Sequence, residues 1–137
     1  MSTLLGPRRS APGWLLVMPL LGACGGPIEQ PAQAEVTAIV WRTLEAARDE
    51  APPPVEWRRD DCGKLPGVRE GGVCYAGLYL RGDRALVAWR DSYHASAFAH
   101  ELLHALQWQR GIDDPEHRRD EWKLVNQANA ALVVAGY

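Results

Sequence analysis

The 137-residue sequence has no surplus of positive charge: 15 Lys and Arg face 17 Asp and Glu, a formal net charge of −2 at pH 7. No Lys/Arg cluster alternates with aromatic residues, which excludes the electrostatic footprint of a nucleic-acid binder. A long apolar run is also missing. The stretch Trp14 to Leu21 is interrupted by Pro19 and is too short to cross a bilayer as a helix of the mature protein. There is no internal repeat and no low-complexity block, so repeat architectures are excluded. Cysteine is scarce, three residues in all, too few for a scaffold of several disulfides. What is present is ordinary globular material, 47% hydrophobic and 23% charged, enough for one domain with a modest core.

The stretch that carries chemistry is Ala99-His100-Glu101-Leu102-Leu103-His104-Ala105-Leu106-Gln107-Trp108, which contains His-Glu-x-x-His among helix-forming residues. Positions four apart share one helix face, so His100 and His104 can aim two imidazoles at one point. That is the bite of a tetrahedral zinc ion, with Zn–N distances near ~2.0–2.1 Å. Glu101 stands beside the first of them, where its carboxylate reaches a water rather than the metal. Phe98, Ala99, Leu102, Leu103, Ala105 and Leu106 make the helix apolar on more than one side, as in a buried helix. Polar side chains inside such a helix are costly unless something satisfies them. The spacing predicts a helix over about 95–110, stopped at Gly111 and capped by Asp91, Ser92 or Ser96. His94, six residues before His100, falls off the ligand face, and Tyr93 reads as packing.

The motif resembles the zinc-binding helix of the zincin metallopeptidases. Metzincins add a Gly and a third His downstream of the second His, where this chain has Gln107 and Arg110. Their Met-turn is impossible here, because the only methionines are Met1 and Met18. Gluzincins take a Glu from a following helix, usually at greater separation than Glu121 offers. The segment 62–122 is similar to compact bacterial zincin-like lipoproteins, with a short Gly-Asp-Pro-type loop and a His before an aromatic. The third ligand is sought in 111–122. Asp114-Pro115 reads as N-cap and first helical position, which places His117 in the first turn of the last helix, and His117 is the expected ligand. Glu121, four residues on, is expected either as an acceptor for the His117 ring N–H or as the ligand itself. Asp113, Asp114 and Glu116 are the remaining alternatives.

The first 23 residues read as an export signal, with Arg8 and Arg9 ahead of the apolar run. Leu21-Gly22-Ala23-Cys24 resembles the lipobox of bacterial lipoproteins. That resemblance implies a lipid on Cys24, a membrane anchor and, with Gly25 following, outer-membrane sorting in a Gram-negative cell. An ordinary secretory signal cleaved near Ala23 is the alternative; both export the chain. Residues 24–34 read as a flexible tether. Cys62 and Cys74 are then left in an oxidising compartment, where an even pair usually joins; two thiolate metal ligands are the other possibility.

The scaffold reads as a helix over 35–50, ended by Pro52-Pro53-Pro54, and a short strand at Val55–Arg58. A loop follows over 59–72, then strands over 73–80 and 85–89 joined by Gly82-Asp83. On the first of these, Cys74, Ala76, Leu78 and Leu80 face one way and Tyr75 and Tyr79 the other. A last helix over 118–135 is core scaffold. The expected fold class is α+β: a zincin-like mini-domain over 35–137, with a short antiparallel sheet or hairpin packed on the N-terminal, His-Glu-x-x-His and C-terminal helices. The expected function is a zinc metallopeptidase holding one Zn²⁺ on His100, His104 and His117, with Glu101 as general base. It acts on a peptide or protein substrate as a monomer, and a strand beside the cleft takes up an extended peptide. The alternatives are an inactive zinc-binding lipoprotein and a peptidoglycan-directed zinc hydrolase.

Overall fold

Three helices and two small sheets build an α+β domain in the computed structural model, which describes residues 26–137. The expected signal segment and Cys24 lie outside the described residues. In chain order the elements are β1 (Pro27–Ile28), α1 (Gln33–Thr43), β2 (Val55–Arg58), β3 (Val68–Glu70), β4 (Val73–Tyr75), β5 (Gly77–Tyr79), β6 (Ala85–Ala88), α2 (Phe98–Gln109) and α3 (Lys123–Val134). A 3₁₀ turn over Asp120–Trp122 leads into α3.

The main sheet has the order β1-β2-β6-β5. It is mixed rather than antiparallel as expected: β2 and β6 run parallel, in register Val55↔Ala85 to Arg58↔Ala88. β6 is buried on both faces, which is why its sequence, Ala-Leu-Val-Ala, is apolar without alternation. Ala85 and Val87 enter the main core with Trp57, Phe98, Leu102, Leu103, Leu106, Val36, Val40 and Leu132. Leu86 and Ala88 face the other way, onto Val68, Leu78 and Leu80. The helices therefore cover one face of the sheet and the β3–β4 hairpin caps the other.

Several boundaries differ from the sequence expectation, each for a local reason. The segment read as a tether is strand from Pro27: Ile28 pairs with Trp57 on the sheet edge and packs on the core. The first helix ends at Thr43, well before the prolines. Glu45 turns left-handed at φ 61°, and the Ala46 and Glu45 N–H groups bond the Trp41 and Arg42 carbonyls at 3.3 and 3.1 Å, closing a Schellman-type end. The loop expected over 59–72 contains β3, because Gly71 and Gly72, both at positive φ, turn the chain straight back into β4. The single strand expected over 73–80 breaks at Ala76 into β4 and β5, which belong to different sheets. Its second half keeps the expected facing, with Leu78 and Leu80 on the small cluster and Tyr79 on the main core. Cys62 and Cys74 form a disulfide that pins the hairpin. The β5–β6 hairpin forms as expected, but its turn is centred on Arg81-Gly82 rather than Gly82-Asp83, closed by the Asp83 N–H on the Leu80 carbonyl at 2.9 Å; β2 has the expected bounds.

Candidate metal centre

α2 lies with Phe98, Ala99, Leu102, Leu103, Ala105 and Leu106 at no more than 1% exposure. Its axis and rotation are thereby fixed by packing, and with them the direction of every side chain on its open face. The helix is shorter than expected at its start. Ala97 holds the N-cap position without a side-chain bond, and the Ser96 hydroxyl accepts the Phe98 N–H at 3.3 Å while donating to the Tyr93 carbonyl at 2.6 Å. Tyr93 packs edge-on against Trp57, Trp89 and Tyr137. The His94 ring meets the Tyr137 carbonyl at 2.9 Å, away from the open face.

On that open face His100 and His104 meet edge to face, 4.9 Å between ring centroids. His117 closes the triangle at 4.8 Å from His100 and 5.1 Å from His104. One ring nitrogen of each lies within 4.8 Å of the others, close enough for the three to hold one metal ion. The His104 and His117 Nε2 atoms are 3.1 Å apart. Burial, and then the neighbouring His117, lower the His100 pKa; burial and the other two histidines push His104 down to about 4. Both rings are therefore neutral at pH 7 and keep a lone pair for a cation.

His117 does not sit in the first turn of a helix. It hangs from a loop, at φ 54°, where a residue with a Cβ costs roughly 1–2 kcal/mol. The loop is held by Asp114 instead. Its carbonyl accepts the His117 N–H at 3.2 Å, closing a turn with Pro115 in second position. Its carboxylate accepts the Arg118 and Arg119 N–H groups at 3.0 and 3.1 Å and the Trp122 indole N–H at 2.8 Å. The carboxylate spends its acceptors on this loop, so the last helix starts only after the 3₁₀ turn. Desolvation raises the Asp114 pKa, and these hydrogen bonds more than offset it, leaving the carboxyl below its ordinary value.

Trp122 forms the floor of the cluster. Its ring centroid lies 4.8, 4.9 and 4.1 Å from those of His100, His104 and His117. Sequence reasoning placed Trp122 in the core of the last helix, and Asp114 at a helix cap or as an alternative ligand; the part each plays in holding the loop and the rings was not foreseen. The signal for Asp114 was its type and place, an acid ahead of a proline and able to bond backbone N–H groups that follow. Glu121 is drawn elsewhere: its Oε2 accepts from Gln107 at 3.2 Å and from Arg119 at 3.1 Å, and it is neither an acceptor for His117 nor among the clustered donors. Asp113 pairs with Arg81 at 3.2 Å, and Glu116 pairs with Arg118.

Glu101 points from α2 toward β5 and is 4% exposed. Burial drives its pKa up to about 8, opposed by a hydrogen bond that its carboxylate accepts from the Tyr79 N–H. The strand makes room for it at Gly77. A Cβ there would lie 2.7 Å from both Cγ and Oε1 of Glu101 and 2.9 Å from the Ala97 Cβ, so any larger residue would displace the carboxyl. β5 is the last strand of its sheet, and no strand pairs with its outer edge among the described residues. Between that edge, the histidines and Pro115 opens a cavity of about 440 Å³, lined also by Trp108, Arg81 and Ile112. A second cavity, of about 480 Å³, adjoins it and shares Tyr75, Gly77, His100 and Glu101 with it. The site is thus three imidazole nitrogen donors and one buried carboxyl at the meeting point of two clefts, beside an open strand edge. No protein-family model, curated protein or solved structure matches the chain.

Proposed function

We propose that the protein is a zinc-dependent peptidase of the zincin type, exported and held to a bacterial envelope through a lipid on Cys24. The observation that carries this reading is the convergence of His100, His104 and His117 at a cavity that also holds the Glu101 carboxyl. In a tetrahedral site with bonds near ~2.0–2.1 Å, two ligand nitrogens stand roughly 3.3–3.4 Å apart. The 3.1 Å between the His104 and His117 Nε2 atoms is close to that. Three imidazoles with no carboxylate among them suit zinc better than calcium or magnesium, which prefer oxygen. Among the described residues no fourth protein donor joins the cluster. A structural zinc site is closed by four protein ligands, whereas a catalytic one keeps a position open.

Held by these rings, zinc supplies a Lewis acid that polarises a substrate carbonyl and lowers the pKa of water. The chain's own residues do the rest. Glu101, aligned by the Tyr79 N–H, takes a proton from the attacking water and returns it to the leaving amine. Its raised pKa holds the proton while the site lacks a cation; a cation alongside lowers that pKa and frees the base. The outer edge of β5 receives an extended peptide, its backbone groups fixing the scissile bond beside the histidines. Trp122 holds the rings in place from below. A substitution separates the roles: Glu101→Gln keeps the metal and loses peptide hydrolysis. Turnover unchanged in that variant removes Glu101 from the mechanism.

The envelope location rests on the residues around Cys24. Among the described residues no helix is long and apolar enough to cross a membrane; the attachment proposed is that lipid. Mass analysis of the mature N-terminus tests it: a diacylglycerol-bearing Cys24 is expected, and an unmodified terminus contradicts it.

A further inference from the structure

We infer that the second cavity binds a carboxylate on the leaving-group side of the substrate, through Arg90; this rests on the peptidase reading of the same site. The cavity is lined by His100 and Glu101 of the metal site and also by Arg90 and Asn129. Arg90 is half-buried, yet no carboxylate lies within 4.0 Å of it among the described residues. Its one hydrogen bond is a long one, from Nη2 to the Pro66 carbonyl at 3.4 Å, and its Nε is buried without a partner. The Asn129 Oδ1 is also buried without a partner. A guanidinium with an unused donor and an amide oxygen with an unused acceptor line one cavity; a peptide's carboxylate offers two oxygens to the guanidinium fork, and a peptide N–H beside it offers a donor to the Asn129 Oδ1.

The direction of β5 says which end of a substrate arrives there. The first cavity is lined by Tyr79 and Arg81, at and beyond the end of β5, and the second by Tyr75, Ala76 and Gly77, at its start. A peptide added antiparallel to β5 runs the opposite way, so its C-terminal part enters the second cavity. The carboxylate is either the peptide's own terminus or an acidic side chain near it. Arg90 then makes cleavage close to a free C-terminus, or ahead of an acidic residue, the preferred reaction.

The test uses the full chain, with and without zinc. Binding is measured for N-acetyl-trialanine, for its C-terminal amide, and for an amidated analogue ending in aspartate, with hydrolysis followed in parallel. The free acid is expected to bind at least about tenfold tighter than the neutral amide. Arg90→Gln removes that preference and Arg90→Lys keeps part of it. Tight binding of the free acid alone assigns the terminal carboxylate; tight binding of the aspartate amide as well admits the side chain. Equal binding of acid and neutral amide, no binding of any of the three, or a preference that survives Arg90→Gln overturns the inference. An acid preference in a chain that cuts none of the peptides removes only the hydrolase reading. Cleavage without an acid preference removes only this one.

Discussion

His100 and His104 ride on a helix sealed into the core, whereas His117 hangs from a loop whose histidine is exposed and left-handed. The two regions solve one problem by different physics. On α2 the rings converge because of the helical period and because Leu102, Leu103 and Leu106 fix the rotation of the helix. In the loop nothing periodic aims His117. One carboxylate, Asp114, gathers two backbone N–H groups and the Trp122 indole, and Trp122 in turn meets all three rings. A helix supplies direction through packing; a loop needs a dedicated latch.

Breaking the helix side has the largest expected effect. His104→Ala leaves two donors, and zinc affinity falls by more than about a hundredfold, below retention through purification; competition with a chromophoric chelator reads this. Next is Glu101→Gln, which spares the metal and lowers peptide turnover by about 10²–10⁴-fold. The same variant has a second signature in the metal-free chain. Because the folded state keeps the Glu101 proton up to about pH 8 and the unfolded chain releases it near 4.5, stability falls as pH rises between them. His104, moved from 6.5 down to about 4, acts in the opposite sense but only below about 6.5. Urea unfolding between pH 6.5 and 8 therefore shows stability declining in the wild type, by at most about 2 kcal/mol, and a flatter profile in Glu101→Gln.

Breaking the loop-rich side has smaller effects that differ in kind. Cys62→Ser frees the β3–β4 hairpin and costs roughly 3 kcal/mol of stability for a loop of this length, measured by thermal unfolding with zinc content unchanged. Asp114→Ala releases the loop and lowers zinc affinity by about 10–100-fold, leaving the melting of the core unchanged. If Asp114→Ala binds zinc as tightly as the wild type, the latch is not what positions His117.

The same contrast governs what was legible beforehand. His100, Glu101, His104, the β5–β6 hairpin and the apolar faces of α1 and α2 follow from period and composition, which are local. The residue type of His117 was legible, but its presentation was not, because Asp114-Pro115 fits a helix start and a latched turn equally well until the bonding of its carboxylate is known. The pair Gly71-Gly72 carried a hairpin signal that the many neighbouring Gly, Pro and Asp residues masked as loop. The parallel pairing of β2 with β6, the break at Ala76 and the tie of Ile28 to Trp57 are long-range, and no short window contains both partners. Gly77 is legible only in three dimensions, as the space into which Glu101 fits.

The most direct measurement is the metal content of the purified full chain by mass spectrometry, beside that of His104→Ala. One zinc ion per wild-type chain, and none in the variant, is the predicted result. A wild-type chain that takes up no zinc, or a variant that holds as much of it, contradicts the account.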